Sequence, residues 1–189
     1  MKKLCIFDCF GVLVSEIAPV WFANNFDEVT AKHLKEHYFN DADKGGITID
    51  ALARKIAVEL NMPGREVLAE WEALATINTE LFDYIADLRK RSSVAVLSNA
   101  PENLLEKIFK QHGLYRFFDR VFVSSAYGMI KPSEAFYKMC IESFSETFDK
   151  IVVIDDNESN FIEIKNKGIQ TITFKSNADL YSKLEAYGI

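Results

Sequence analysis

The feature that most constrains this chain is a recurring unit. A short, almost purely apolar run stops at a polar residue, and a stretch with helical periodicity follows. Leu4, Ile6 and Phe7 precede Asp8, and Val94, Ala95, Val96 and Leu97 precede Ser98. Val121, Phe122 and Val123 precede Ser124, and Ile151, Val152, Val153 and Ile154 precede Asp155 and Asp156. A last run covers residues 170–174. Runs apolar on both faces suit parallel strands buried on both sides. Between them, residues 101–111 place Leu104, Leu105, Ile108 and Phe109 at helical spacing, and residues 136–144 and 160–166 behave similarly. The alternation predicts an α/β fold, a Rossmann-like parallel sheet flanked by helices. Ligands of such sheets bind at the carboxyl ends of the strands. Asp8, Ser98, Asp155 and Asp156 are therefore expected to converge.

Residues 15–80 break the rhythm. Only Ile47-Thr48-Ile49 hints at a strand, and Thr48 to Ala51 also reads as a helix entry. Residues 29–37, 50–60 and 65–74 are rich in helix formers, and Pro63-Gly64 separates two of them. The expected organisation is an α/β core from residues 1–14 and 81–189, with residues 15–80 inserted as a small helical cap over the mouth of the sheet. Trp21, Phe22, Phe26, Tyr38 and Phe39 form an early aromatic cluster, expected to pack the cap core and to offer some side chains to a pocket. Asp41-Ala42-Asp43-Lys44 is expected to be a solvated loop. His33 and His37 share a helix face, but their order, His-Leu-Lys-Glu-His, is not a zincin motif, and a packing or surface role is expected.

A net charge of −6 disfavours nucleic acid and anionic membranes as partners. No apolar run approaches the roughly 18 residues of a membrane span. The opening Met-Lys-Lys mimics a signal peptide, but Asp8 interrupts the apolar stretch behind it. Three cysteines, Cys5, Cys9 and Cys140, form no CxxC pair and are expected to be buried free thiols. A reduced, cytoplasmic setting is the expectation. Oligomeric state is open.

Four motifs in order carry a family resemblance. Phe7-Asp8-Cys9-Phe10-Gly11-Val12-Leu13 resembles the first motif of the haloacid dehalogenase superfamily. Leu97-Ser98-Asn99 resembles its second, Lys131-Pro132 its third lysine, and Ile154-Asp155-Asp156-Asn157 its fourth acidic pair. Each has a bland reading: an acid or serine after a strand often caps a turn or helix, and a lone lysine is usually solvated. The joint order outweighs these readings. The resemblance implies a phosphomonoester hydrolase with Asp8 as covalent nucleophile and a small phosphorylated metabolite as substrate. It implies Mg²⁺ held by Asp8, the Phe10 backbone carbonyl and Asp156, with Asp155 binding directly or through water. Ser98, the Asn99 backbone N–H and Lys131 would hold the phosphate, and Lys131 would also offset the clustered carboxylates.

One departure stands out. Phe10 occupies the place where most phosphatases of the superfamily carry a second Asp, the general acid–base, whose help is typically worth about 10²–10⁴ in rate. Another acid, such as Glu16, Ser15 or a cap residue, could serve instead. Otherwise the enzyme is slow, restricted to good leaving groups, or inactive. The 2-haloacid dehalogenases carry an aromatic residue at this position, which keeps a metal-independent dehalogenase as an alternative beside a catalytically silent binding protein. Residues 128–132 and 155–160, with the cap length, are similar to the bacterial sugar-phosphatase branch typified by alpha-D-glucose-1-phosphate phosphatase, which also lacks the second Asp.

Overall fold

The structure, a computed structural model, describes residues 2–189. The predicted sheet is present, with five parallel strands in the order β3-β2-β1-β4-β5. Strand β1 (Lys3–Phe7) is central, paired with β2 (Ser93–Ser98) on one side and β4 (Lys150–Asp155) on the other. Strands β3 (Arg120–Val123) and β5 (Gln170–Thr173) complete the edges. Alternate residues serve opposite faces, so the central strands β1, β2 and β4 are apolar over most of their length. Leu4, Ile6, Ala95, Leu97 and Val153 pack with Phe136, Cys140 and Phe161 on one face. Cys5, Phe7, Val94, Val96 and Ile154 pack with Ile85, Leu105 and Leu180 on the other. All three cysteines are free and buried, as expected. Burial pushes the Cys5 and Cys140 thiols up to about 12, which rules them out as ready nucleophiles.

Between β1 and β2 lie six helices: α1 (Ala18–Asn25), α2 (Glu28–Leu34), α3 (Asn40–Asp43), α4 (Ile49–Glu59), α5 (Gly64–Leu74) and α6 (Thr79–Leu88). Thr48 does not join a strand; its hydroxyl caps α4 by accepting the Ala51 N–H. Pro63 opens α5, where a missing N–H costs nothing. A π-helical turn, Lys35–Phe39, joins α2 to α3. Trp21, Phe22, Phe39 and Trp71 meet edge to face or tilted, with centroids 5.5–5.8 Å apart along Phe22–Phe39, Phe39–Trp71 and Trp21–Trp71. The chain leaves and re-enters the sheet region through paired backbone: Ser15 N–H donates to Thr76 O at 2.9 Å, and Asn78 N–H to Leu13 O at 3.0 Å. Asn78 also caps α6 and bonds Asn177 near the start of the last helix.

After β2 come α7 (Leu104–His112), α8 (Glu134–Glu142) and, following β5, α9 (Asn177–Ala186). Two expectations need correction. Residues 160–166 are not a helix but a 3₁₀ turn, Glu158–Phe161, followed by further turns. Asp41-Ala42-Asp43-Lys44 is not a solvated loop, because Asn40–Asp43 is helical and Ala42 is fully buried. Charges at Asp41, Asp43 and Lys44 hid one apolar anchor. No helix among the described residues is long and apolar enough to cross a membrane.

Candidate active site

The strand ends bring the predicted acids together. Asp8 directly follows β1, and its N–H donates to Ile154 O at 2.8 Å, tying the end of β1 to that of β4. Asp8, Asp155 and Asp156 each offer an oxygen within 4.8 Å of the others. Lys131, 3% exposed, places its Nζ 2.8 Å from Asp8 Oδ1 and 2.6 Å from Asp155 Oδ2. Asp8 Oδ1 also accepts the Cys9 N–H at 2.7 Å. Both partners fall on Oδ1, so Oδ2 is the oxygen left for other chemistry.

Asp155 is differently placed. Its Oδ1 accepts from Asn157 N–H at 2.9 Å and from Asn160 Nδ2 at 2.9 Å, and its Oδ2 accepts from Lys131 and Asn160. Three donors engage both oxygens of this carboxylate and make it an anchor for Lys131. Asp156 is half-buried and faces Glu16 and Gly11. Gly11 has φ +81°, and a Cβ there would fall 2.4 Å from Asp156 Oδ2, so only glycine fits.

Ser98 ends β2 fully buried, and its Oγ has no hydrogen-bond partner. An unmatched buried hydroxyl is costly unless a ligand satisfies it. The Asn99 side chain clamps the Lys131 backbone: Nδ2 donates to Lys131 O at 3.1 Å, and Oδ1 accepts the Lys131 N–H at 2.8 Å. This positioning role was not readable from the sequence, because it needs two loops at adjacent strand ends.

Burial sets the electrostatics. It pushes Asp8 up to about 8, against the pull of Lys131, while Asp155 adds to the rise. It works against the charge of Lys131, yet Asp8 and Asp155 outweigh it and hold the ammonium above the ordinary lysine range. Glu16 is pushed up to about 7 by burial and by Asp156. Three carboxylates face one ammonium, so with all three ionised two negative charges would remain, the charge that one divalent cation would balance. The donors are all oxygens, the preference of hard ions such as Mg²⁺.

A cavity of about 220 Å³ opens above these groups. Asp8, Phe10, Glu16, Asn99 and Asp156 line its floor and sides, while Phe39, Asp43 and Trp71 reach it from the inserted helices. Phe39 is thus a member of the aromatic cluster that reaches the pocket. Ser15 is spent elsewhere, donating to Leu74 O at 2.7 Å and accepting the Thr76 N–H at 2.9 Å. His33 and His37 stay on the surface, with His37 Nδ1 3.1 Å from His33 O. Sequence reasoning missed Asp43, because its charged neighbours looked like a solvated stretch.

Similarity to known proteins agrees with this geometry. The chain is 21% identical over 192 residues to drimenol cyclase drtB of Aspergillus calidoustus, covering 97% of this chain and 36% of that protein. It therefore spans about a third of that relative. It is 22% identical over 175 residues to sesquiterpene phosphatase astK of Aspergillus oryzae, covering 88% and 87% of the two chains. The fold matches a haloacid-dehalogenase-family enzyme of Bacteroides thetaiotaomicron with TM-score 0.80, 24% identity, and coverage of 97% and 98%. Another crystal structure of that enzyme is a complex with magnesium and inorganic phosphate, matched with TM-score 0.75, 24% identity, and coverage of 94% and 96%. A sequence model of haloacid dehalogenase-like hydrolases matches residues 2–166. The chain, with its acidic cluster at the carboxyl edge of a parallel sheet, belongs to the haloacid dehalogenase-like hydrolases.

Proposed function

We propose that the chain is a Mg²⁺-dependent phosphomonoester hydrolase working through an aspartyl-phosphate on Asp8. One observation carries the reading: the Asp8, Asp155 and Asp156 oxygens gather beside buried Lys131, and the Ser98 hydroxyl, at the end of the neighbouring strand, lacks a partner. Asp8 Oδ2 attacks phosphorus. Ser98 Oγ donates to a phosphoryl oxygen, as does the Asn99 backbone N–H, while Lys131 offsets negative charge. Asp8, Asp156 and the Phe10 carbonyl are the metal ligands in this reading, with Asp155 acting through water because its oxygens are already engaged. The cation would neutralise charge on nucleophile and phosphate as they approach. Residues 15–80 serve as the cap and residues 1–14 and 81–189 as the catalytic core.

The cavity is smaller than the roughly 300–1,000 Å³ of common ligand sites, which favours a small phosphorylated metabolite. A sugar phosphate is the class suggested by the resemblance of residues 128–132 and 155–160 to the sugar-phosphatase branch. Phe39, Trp71 and Leu104 give the cavity an apolar wall. That wall suits the apolar face of a sugar ring and also a short hydrocarbon. A cytoplasmic setting fits the three buried, unpaired thiols.

Phe10 keeps a metal-independent 2-haloacid dehalogenase as the second reading, because a halide leaves without a proton. Against it, the unmatched negative charge would repel a carboxylate substrate. The deciding test is purified protein assayed against sugar phosphates, an isoprenyl monophosphate and 2-chloropropionate, with Mg²⁺ or excess chelator. Phosphate release is expected only with Mg²⁺. Full turnover in chelator, or chloride release without phosphate release, would refute the proposal.

A further inference from the structure

The reaction requires a proton at the leaving oxygen, and position 10 offers only a phenyl ring. Two carboxyl groups in the cavity lie outside the acidic cluster, Glu16 and Asp43. Glu16 is engaged with Asp156, so its proton belongs to the cluster. Asp43 stands apart. Its side chain has no hydrogen-bond or ion-pair partner among the described residues. The cavity places it on the wall contributed by the inserted helices, together with Phe39 and Trp71.

The backbone around Asp43 is fixed to the core. Ser124 Oγ donates to Asp43 O at 2.6 Å and accepts the Ala100 N–H at 3.0 Å, so one hydroxyl joins the end of α3 to the loop after β2. Two residues on, Gly45 has φ +77° and passes so close to the core that a Cβ would lie 2.3 Å from Ser125 O. Fully buried Ala42 anchors the same turn from behind. A short helix that would otherwise be a surface feature is held against the sheet's carboxyl edge, with Asp43 at its inner end.

We propose that Asp43 is the general acid–base of this enzyme, a proposal that rests on the phosphomonoester hydrolase reading above. Asp8 Oδ2 forms a bond to phosphorus as the bond to the leaving oxygen breaks, and the Asp43 carboxyl gives its proton to that oxygen, releasing an alcohol. The Asp43 carboxylate then takes a proton from water as the water oxygen attacks phosphorus. The bond to Asp8 breaks, and inorganic phosphate leaves with both carboxyl groups restored. Burial pushes Asp43 up to about 7, against the pull of Lys131, so both forms are accessible near neutrality. Asp8, Glu16 and Asp156 are the other charged groups lining the cavity, with Lys131 paired to Asp8.

The test compares first-turnover rates of full-length Asp43→Asn and wild type on an alkyl phosphate and on p-nitrophenyl phosphate, whose leaving group needs little protonation. Alcohol release from the alkyl ester is expected to fall by about 10²–10⁴-fold. The first-turnover burst of p-nitrophenolate should largely survive, followed by slow steady-state turnover because water activation is impaired. A merely structural role would lower both bursts together. Gly45→Ala, which leaves every carboxylate in place but pushes α3 off Ser125, should show the same selective loss and serves if the Asn variant fails to fold. Equal loss on both esters, no loss on either, or the selective pattern in Glu16→Gln instead would overturn the proposal. A wild type inactive on both esters overturns the hydrolase reading and this proposal together; an active wild type with an unaffected Asp43→Asn overturns this proposal alone.

Discussion

Asp8→Asn is expected to lower phosphatase turnover by on the order of 10⁴–10⁶-fold, the range seen when single members of a covalent catalytic constellation are removed. The side chain has two separable tasks. Its Oδ1 accepts from Cys9 N–H and Lys131, which an amide oxygen can also do. Its Oδ2 supplies the electron pair for phosphorus, which an amide nitrogen cannot. The variant should therefore fold, bind inorganic phosphate and fail to react. Its stability should not fall, because burial already disfavours the charge on Asp8. Single-turnover release of p-nitrophenolate, paired with a thermal melt, reads both tasks. A well-folded Asn variant that keeps a tenth of wild-type activity would remove Asp8 from the nucleophile role.

Lys131→Met should cost about 3–5 kcal/mol of stability as well as activity, because it strips the cation from two buried carboxylates. For a chain of this size that corresponds to a fall in Tm of about 6–20 °C. The deficit should depend on pH with a definite sign. Asp8, pushed up to about 8 even with Lys131 beside it, loses the group that pulled it down. In the folded variant it binds a proton that the unfolded chain, with an ordinary carboxyl, has released at neutral pH. Wild-type Asp8 also holds its proton up to about pH 8, so the deficit is smallest below that pH and grows as the pH rises above it. Combining Lys131→Met with Asp8→Asn removes a buried carboxyl that must take up a proton on folding, so the pair should be more stable than Lys131→Met alone. A Tm within about 2 °C of wild type for Lys131→Met would show that water reaches these groups more freely than their burial indicates.

The sheet was legible because its physics is local. A strand buried on both faces must be apolar throughout, and the run from Ile151 to Ile154 has no other comfortable home. The convergence of Asp8 with Asp155 and Asp156 followed from strand polarity alone, although their oxygens are far apart along the chain. Contacts between loops were not legible. Nothing near Asn99 announces that its amide grips Lys131, and nothing near Asp43 announces Ser124. The segment 160–166 failed for another reason. Its apolar spacing matches a helix, but Asn157, Ser159 and Asn160 bond locally and to Asp155, and the backbone turns tightly instead.

The central position of β1 has a consequence for synthesis. Leu4 pairs with Ser93, and Lys3 with Lys150, so this strand gains its first neighbour only after about half of the described chain exists and its second much later. Until then an apolar strand with two open edges leaves the ribosome ahead of the segments that will cover it. Parallel pairing over such separations is slow, and uncovered edges of this kind invite association with other chains. The helices between β1 and β2 emerge next and can gather around Trp21 and Trp71 while β1 waits. A nascent chain halted before β4 would carry Asp8 and Lys131 but not the acid pair. Premature termination should therefore yield an inert, aggregation-prone fragment and never a partly active enzyme.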